Sequence, residues 1–168
     1  MGLFRERGRH WLALTGVRAS PRGFTFIEVA LVIAILAVVA TIAVPRYSDY
    51  RDRVRTAQAV TDIKEIEANL QSYFTDNRGY PNDLSLIGLA GKLDPWGNPY
   101  QYTDLADIKG KGKARKDKNL VPINSDFDLW SMGKDGQSVM PLTAKASRDD
   151  VIRAADGRFV GLASDFDP

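Results

Sequence analysis

Residues 22–45 read RGFTFIEVALVIAILAVVATIAVP, and Phe24–Val44 within them form 21 residues with a single charge, Glu28. As an α-helix this stretch extends about 32 Å, roughly the hydrocarbon thickness of a bilayer. From Val29 to Val44 there is no polar face, which predicts a helix embedded in membrane or enclosed by other apolar surfaces. A secretory signal peptide has a shorter apolar core with its small-residue cleavage site after it. Here the small residue, Gly23, comes before the run. A cut at the Gly23–Phe24 junction therefore leaves the apolar helix attached to the rest of the chain.

Upstream, residues 1–23 hold Arg5, Arg7, Arg9, Arg18 and Arg22 against one acid, Glu6, a net of +4; the 168-residue chain carries +2, so the remainder is −2. A basic flank directly before an apolar span marks a segment held on the cytoplasmic side of a membrane. The small overall charge argues against a nucleic-acid partner. The chain has no cysteine, which excludes disulfides and thiolate metal sites. Its one histidine, His10, lies in the basic leader. A histidine-based catalytic triad or a histidine-ligated metal in the folded part is thereby excluded, and no constellation of reactive groups points to an enzyme.

Downstream, Pro45 removes one helical hydrogen bond and predicts a kink. The helical period then resumes: Val54, Ala57, Val60, Ile63, Ile66, Leu70 and Tyr73 or Phe74 recur at spacings of three and four, with charged residues opposite. One helix from about Phe24 to about Phe74 is expected, on the order of 75 Å long. Asn77-Arg78-Gly79-Tyr80-Pro81 supplies its stop. Beyond it a short helical turn is predicted through Leu84–Leu89, and strands at Tyr100–Thr103, Leu120–Ile123 and Asp126–Ser131. A turn is expected at Gly133–Gly136 and an irregular tail from Pro141. The fold class expected is α+β: a long N-terminal helix, half membrane-type and half amphipathic, packed on a small antiparallel sheet of three or so strands. The chain divides into a leader (1–23), a membrane or filament-core helix (24–44), an amphipathic half (45–75) and a β-rich head (76–168).

The junction Arg22-Gly23-Phe24-Thr25-Phe26-Ile27-Glu28 followed by an apolar run resembles the leader junction of type IV pilins and of the pseudopilins of type II secretion. The resemblance implies cleavage after Gly23 by a prepilin peptidase and N-methylation of Phe24. Glu28 carries a physical argument of its own. A lone carboxylate in hydrocarbon is costly and demands a partner. Cleavage creates an ammonium at Phe24 that can neutralise Glu28 of a neighbouring subunit in a staggered helical stack; the plainer alternative is that Glu28 sits at the headgroup boundary.

The block Asp94–Tyr102, DPWGNPYQY, is rigid turn sequence with aromatic residues free to cover a core. It resembles the loop of the major pseudopilins, the general secretion pathway protein G group. In that group a strand and turn like Asp126–Gly136, DFDLWSMGKDG, lead into a calcium site. Carried over, that implies Asp135 and the Met132 carbonyl, with Asp149 or Asp150, as calcium ligands; calcium takes six to eight oxygens. The alternative is that Asp135 and Asp149 make only turn and cap hydrogen bonds. Gln137–Ser147 departs from a glycine-rich spacer, and Val151–Pro168 replaces the tryptophan ending of the group. The basic loop Lys109–Lys118 reads as a solvated hairpin tip, with no interleaved aromatic residue for stacking on bases.

The resemblance spans about Arg22 to Gly136. It implies a structural subunit of a type II secretion pseudopilus, not an enzyme. That subunit would sit in the bacterial inner membrane by a single pass, its leader cytoplasmic and its head periplasmic. It would then form a helical homo-oligomeric filament with other pseudopilins or pilins, through an inner-membrane assembly platform. A type IV pilus subunit for adhesion, motility or DNA uptake is the alternative, and a membrane-anchored periplasmic enzyme or binding module a remote one.

Overall fold

The computed structural model describes residues 23–108 and 110–168; the leader residues up to Arg22 and the side chains of Lys109 and Lys111 lie outside that description. One helix, α1, runs from Phe26 to Asn77 with Pro45 inside it. Four strands follow: β1 (Gln101–Asp104), β2 (Phe127–Ser131), β3 (Val151–Ala154) and β4 (Phe159–Leu162). They form an antiparallel sheet in the order β1-β2-β3-β4. The registers pair Tyr102 with Leu129, Trp130 with Ile152 and Val151 with Leu162. The chain falls into two compact units, up to Ala43 and from Val44 onward.

In the second unit, Ala59, Ile63, Ile66 and Leu70 are the buried residues of α1, spaced to lie along one stripe. They pack with Leu84, Tyr100, Phe127, Leu129 and Val151 in the main core. The stripe is shorter than its period suggested: Val54 and Ala57 are exposed and Ala59 takes the buried position. A second core gathers Ile123, Trp130, Leu142, Ile152, Ala154, Ala163 and Phe166. Phe127 and Leu129 belong to the first core and Trp130 to the second, as the two-residue period of a strand requires. The sheet is thus covered on both faces, and every residue of β2 and β3 is buried.

Three expectations are corrected. Leu120–Ile123 is not a strand: Pro122 has no N–H to give to a ladder, and only Leu120 makes an isolated bridge, to Asp117. The segment from Pro141 is not irregular, since it contributes β3, β4 and five of the seven buried residues of the second core. The hairpin turns through Ala155-Asp156-Gly157-Arg158, with Asp156 at φ 55° and Gly157 at φ 85°, the left-handed pair that suits the twist of a tight hairpin. The stretch around Arg115 is not a solvated tip, because Ala114, Arg115 and Asp117 are buried.

Candidate functional site

Phe26 opens α1, and the residue before it, Thr25, caps it. The Thr25 amide and hydroxyl donate to Glu28 Oε2 at 2.7 and 2.8 Å, and the Glu28 amide donates back to Thr25 Oγ1 at 3.3 Å. This reciprocal arrangement satisfies donors that a helix start otherwise leaves free, and it sets the acid at the positive end of the helix dipole. Glu28 is therefore oriented by Thr25, back along the chain toward the Gly23–Phe24 junction. Thr25 is the member of this site that the sequence reading missed, although its Thr-x-x-Glu spacing is the signal that finds it.

Around this polar knot the surface is apolar. From Phe24 to Tyr50 every residue is exposed except the half-buried Ala30. Phe24 and Phe26 are 88% and 90% exposed. So much apolar area without cover requires lipid or other protein against it. Gly23 is also exposed, and among the described residues a Cβ added there meets nothing within 4 Å. The fold itself thus has no need of glycine at that position.

In the second unit the two diagnostic loops interlock. Asp94 is 5% exposed and organises its own turn, with Oδ1 accepting from the Trp96 and Asn98 amides at 3.0 and 2.8 Å. Its Oδ2 accepts from the Ser131 hydroxyl, which in turn takes the Gly133 amide. Asn98 Nδ2 donates to the Gly133 carbonyl at 3.1 Å. Tyr100 donates to Asp62 on α1 at 2.9 Å, and Tyr102 to the Pro81 carbonyl at 2.8 Å. Burial raises both phenols above the usual tyrosine range, with the Asp62 bond and charge adding to it at Tyr100.

The turn after β2 is closed by Asp149, whose Oδ2 accepts from the Lys134 and Asp135 amides at 2.9 and 3.0 Å. Gly133 sits at φ 64°, and a Cβ there would run into the Asp149 backbone, so this glycine is required. Asp135 Oδ1 accepts from the Gln137 amide at 2.8 Å. Of the four residues named as calcium ligands, Asp135 and Asp149 thus share one turn. Met132 packs against the second core. Asp150 is fully buried and bound by Arg115 at 2.6 Å and by the Ser138 hydroxyl at 2.6 Å. Among the described residues no three His, Cys, Asp or Glu side chains converge as a metal cage.

Sequence reasoning missed two buried arginines. Arg115, 1% exposed, reaches Asp150, Ser138 and the Val139 carbonyl and lies 4.9 Å over the Trp130 ring. Arg153, also 1% exposed, forms a fork on Asp126 with two bonds of 2.8 Å and reaches Glu67 of α1 at 2.7 Å. Such pairs hold only when both partners stay. Asp128 lies at the centre, accepting from the Arg115 amide at 2.7 Å and from Asn124 at 2.9 Å. Burial pushes Asp128 and Asp150 above the usual carboxylate range, against the pull of these hydrogen bonds and of Arg115.

Residues 18–44 match the family model of the prokaryotic N-terminal methylation motif. The chain is similar to the type II secretion system core protein G of Pseudomonas aeruginosa, with 32% identity over 142 residues, 71% of this chain and 88% of that protein. It is 32% identical over 135 residues to the protein of the same name from Vibrio cholerae, 68% of this chain and 82% of that one. A fimbrial protein of Neisseria meningitidis serogroup B is 27% identical over 146 residues, 80% of this chain and 84% of its own. No solved structure matches the chain.

Proposed function

This chain belongs to the type II secretion system core protein G family, and on that footing we propose that it works as a pseudopilin: a structural subunit cut after Gly23, N-methylated on Phe24 and polymerised through its apolar helix to drive export of folded proteins. The observation that carries the reading is an apolar surface left bare from Phe24 to Val44 and headed by one capped carboxylate, within the segment that matches the methylation motif.

The chemistry follows from these residues. Gly23 is not demanded by packing, so its role is to be read by a prepilin peptidase. Cleavage frees the Phe24 amine beside a carboxylate that already points toward it. In a stack of parallel helices, Glu28 of one subunit meets the Phe24 ammonium of the next. Away from water such a pair is strong and sets the axial register. Burial of Phe26–Val44 against neighbouring helices, in place of lipid, gives the filament its core. The leader is cytoplasmic and the head periplasmic, as the basic flank at residues 1–23 indicates. Platform, peptidase and companion pseudopilins are the partners.

Two measurements test this. The mature protein from its native host should begin with N-methyl-phenylalanine at position 24; a chain still starting at Met1 overturns the proposal. Glu28→Ala should insert in the membrane normally but lower the yield of cross-linked multimers at least about tenfold, the loss expected when one member of a desolvated ion pair is removed. Normal multimer yield would remove Glu28 from the account. A type IV pilus subunit is the second reading, favoured by the Neisseria match over 80% of the chain. A gene neighbourhood with a secretin and further pseudopilins supports the first reading against it.

A further inference from the structure

We infer that the head is held together by an internal cation, the guanidinium of Arg115, which binds Asp150, one of the four residues the family resemblance names for calcium, so that its fold does not depend on a divalent metal. One carboxylate oxygen on each of three of the four residues named for such an ion already accepts hydrogen bonds inside the head. Asp149 Oδ2 takes the Lys134 and Asp135 amides, and Asp135 Oδ1 takes the Gln137 amide. The Val139 carbonyl accepts from Arg115 at 3.0 Å and from the Ser147 hydroxyl at 2.8 Å. Asp150 Oδ2 accepts from Arg115 and from Ser138.

Arg115 thereby ties three segments distant in sequence. Its own loop, the Ser138–Val139 stretch and Asp150 all meet on one planar group, which also stacks on Trp130 of β2. Among the described residues two atoms at the pair have no hydrogen-bond partner, Arg115 Nε and Asp150 Oδ1. One is a donor and the other an acceptor, so a bridging water suits both. A metal ion would serve only the oxygen, and it would do so against the guanidinium charge. One basic residue of this loop, Arg115, thus has a structural use inside the head.

The test is thermal unfolding of the full chain in detergent, with about 5 mM calcium, above the weakest range of extracellular calcium sites, or with EGTA. A bound ion raises the melting temperature with its concentration. The two curves should agree to within about 1 °C, and Arg115→Lys, which keeps the charge but loses the fork and the stacking, should melt at least about 5 °C lower in both. Asp149→Ala should melt lower by the same amount with calcium as with EGTA. A calcium-dependent rise for the unaltered chain overturns the inference, as does Arg115→Lys melting like the parent. Should Arg115→Lys fail to fold, the unaltered chain and Asp149→Ala still decide the matter.

Discussion

The apolar half of α1 and the head assign opposite places to charge and hydrocarbon. From Phe24 to Val44 the large apolar side chains are exposed, and the one acid there is held by its own helix start. In the head, Arg115, Arg153, Asp128 and Asp150 are at most 1% exposed, and a double-faced sheet separates two apolar cores. The head pairs Arg115 with Asp150 and Arg153 with Asp126 and Glu67 inside itself. The apolar helix is incomplete alone, because its surface and its acid both call for something outside the chain. One region is therefore built for autonomy and the other for association.

The largest break in this comparison comes from Arg153→Met. It leaves the half-buried carboxylates of Asp126 and Glu67 without their cation and should destabilise the head by about 3 kcal/mol or more, read by denaturant unfolding. A loss under about 1 kcal/mol would mean that the buried charges are dispensable. A matched pair of leucines sharpens it. Leu70→Ala should cost the head about 2–5 kcal/mol, since Leu70 is fully buried. Leu36→Ala, at a site 60% exposed, should leave the melting of the head unchanged and lower filament yield. Equal effects on the two assays would erase the distinction between the regions.

The smallest effect is a pH slope. Burial raises the Asp128 and Asp150 carboxyls in the folded head. The folded state therefore binds protons that the unfolded state has released, and stability falls as pH rises from about 4 through the raised values. Asp128→Asn should flatten that fall when unfolding is compared across this range. An unaltered slope would show that Asp128 is not coupled to the fold.

Much of this architecture is legible from residues. The apolar run and the three-and-four spacing after Pro45 indicate one long helix, and α1, β1 and β2 lie close to the spans predicted for them. The Thr25–Glu28 cap is equally legible, as a spacing of three at a helix start. The hidden parts depend on tertiary contact. β3 and β4 are covered on both sides or half-buried throughout, so they lack the in-out alternation that marks an ordinary strand. Asp156-Gly157 between Val151-Ile152 and Phe159-Val160 is the remaining clue to a hairpin. Arg115 sits among lysines and glycines, and local composition there reads as solvated loop. Only the meeting of its guanidinium with Asp150, 35 positions along the chain, turns it inward.

The two-faced sheet also dictates where the molecule can be altered. A one-residue slip of β2 would turn Phe127 and Leu129 toward the partners of Trp130, and Trp130 toward those of Phe127 and Leu129, spoiling two interiors at one stroke. The stretch Leu105–Ile108 belongs to neither core and carries the exposed Ala106 and Asp107. A reporter peptide or dye attached there would sit on the surface of the head and leave both cores undisturbed.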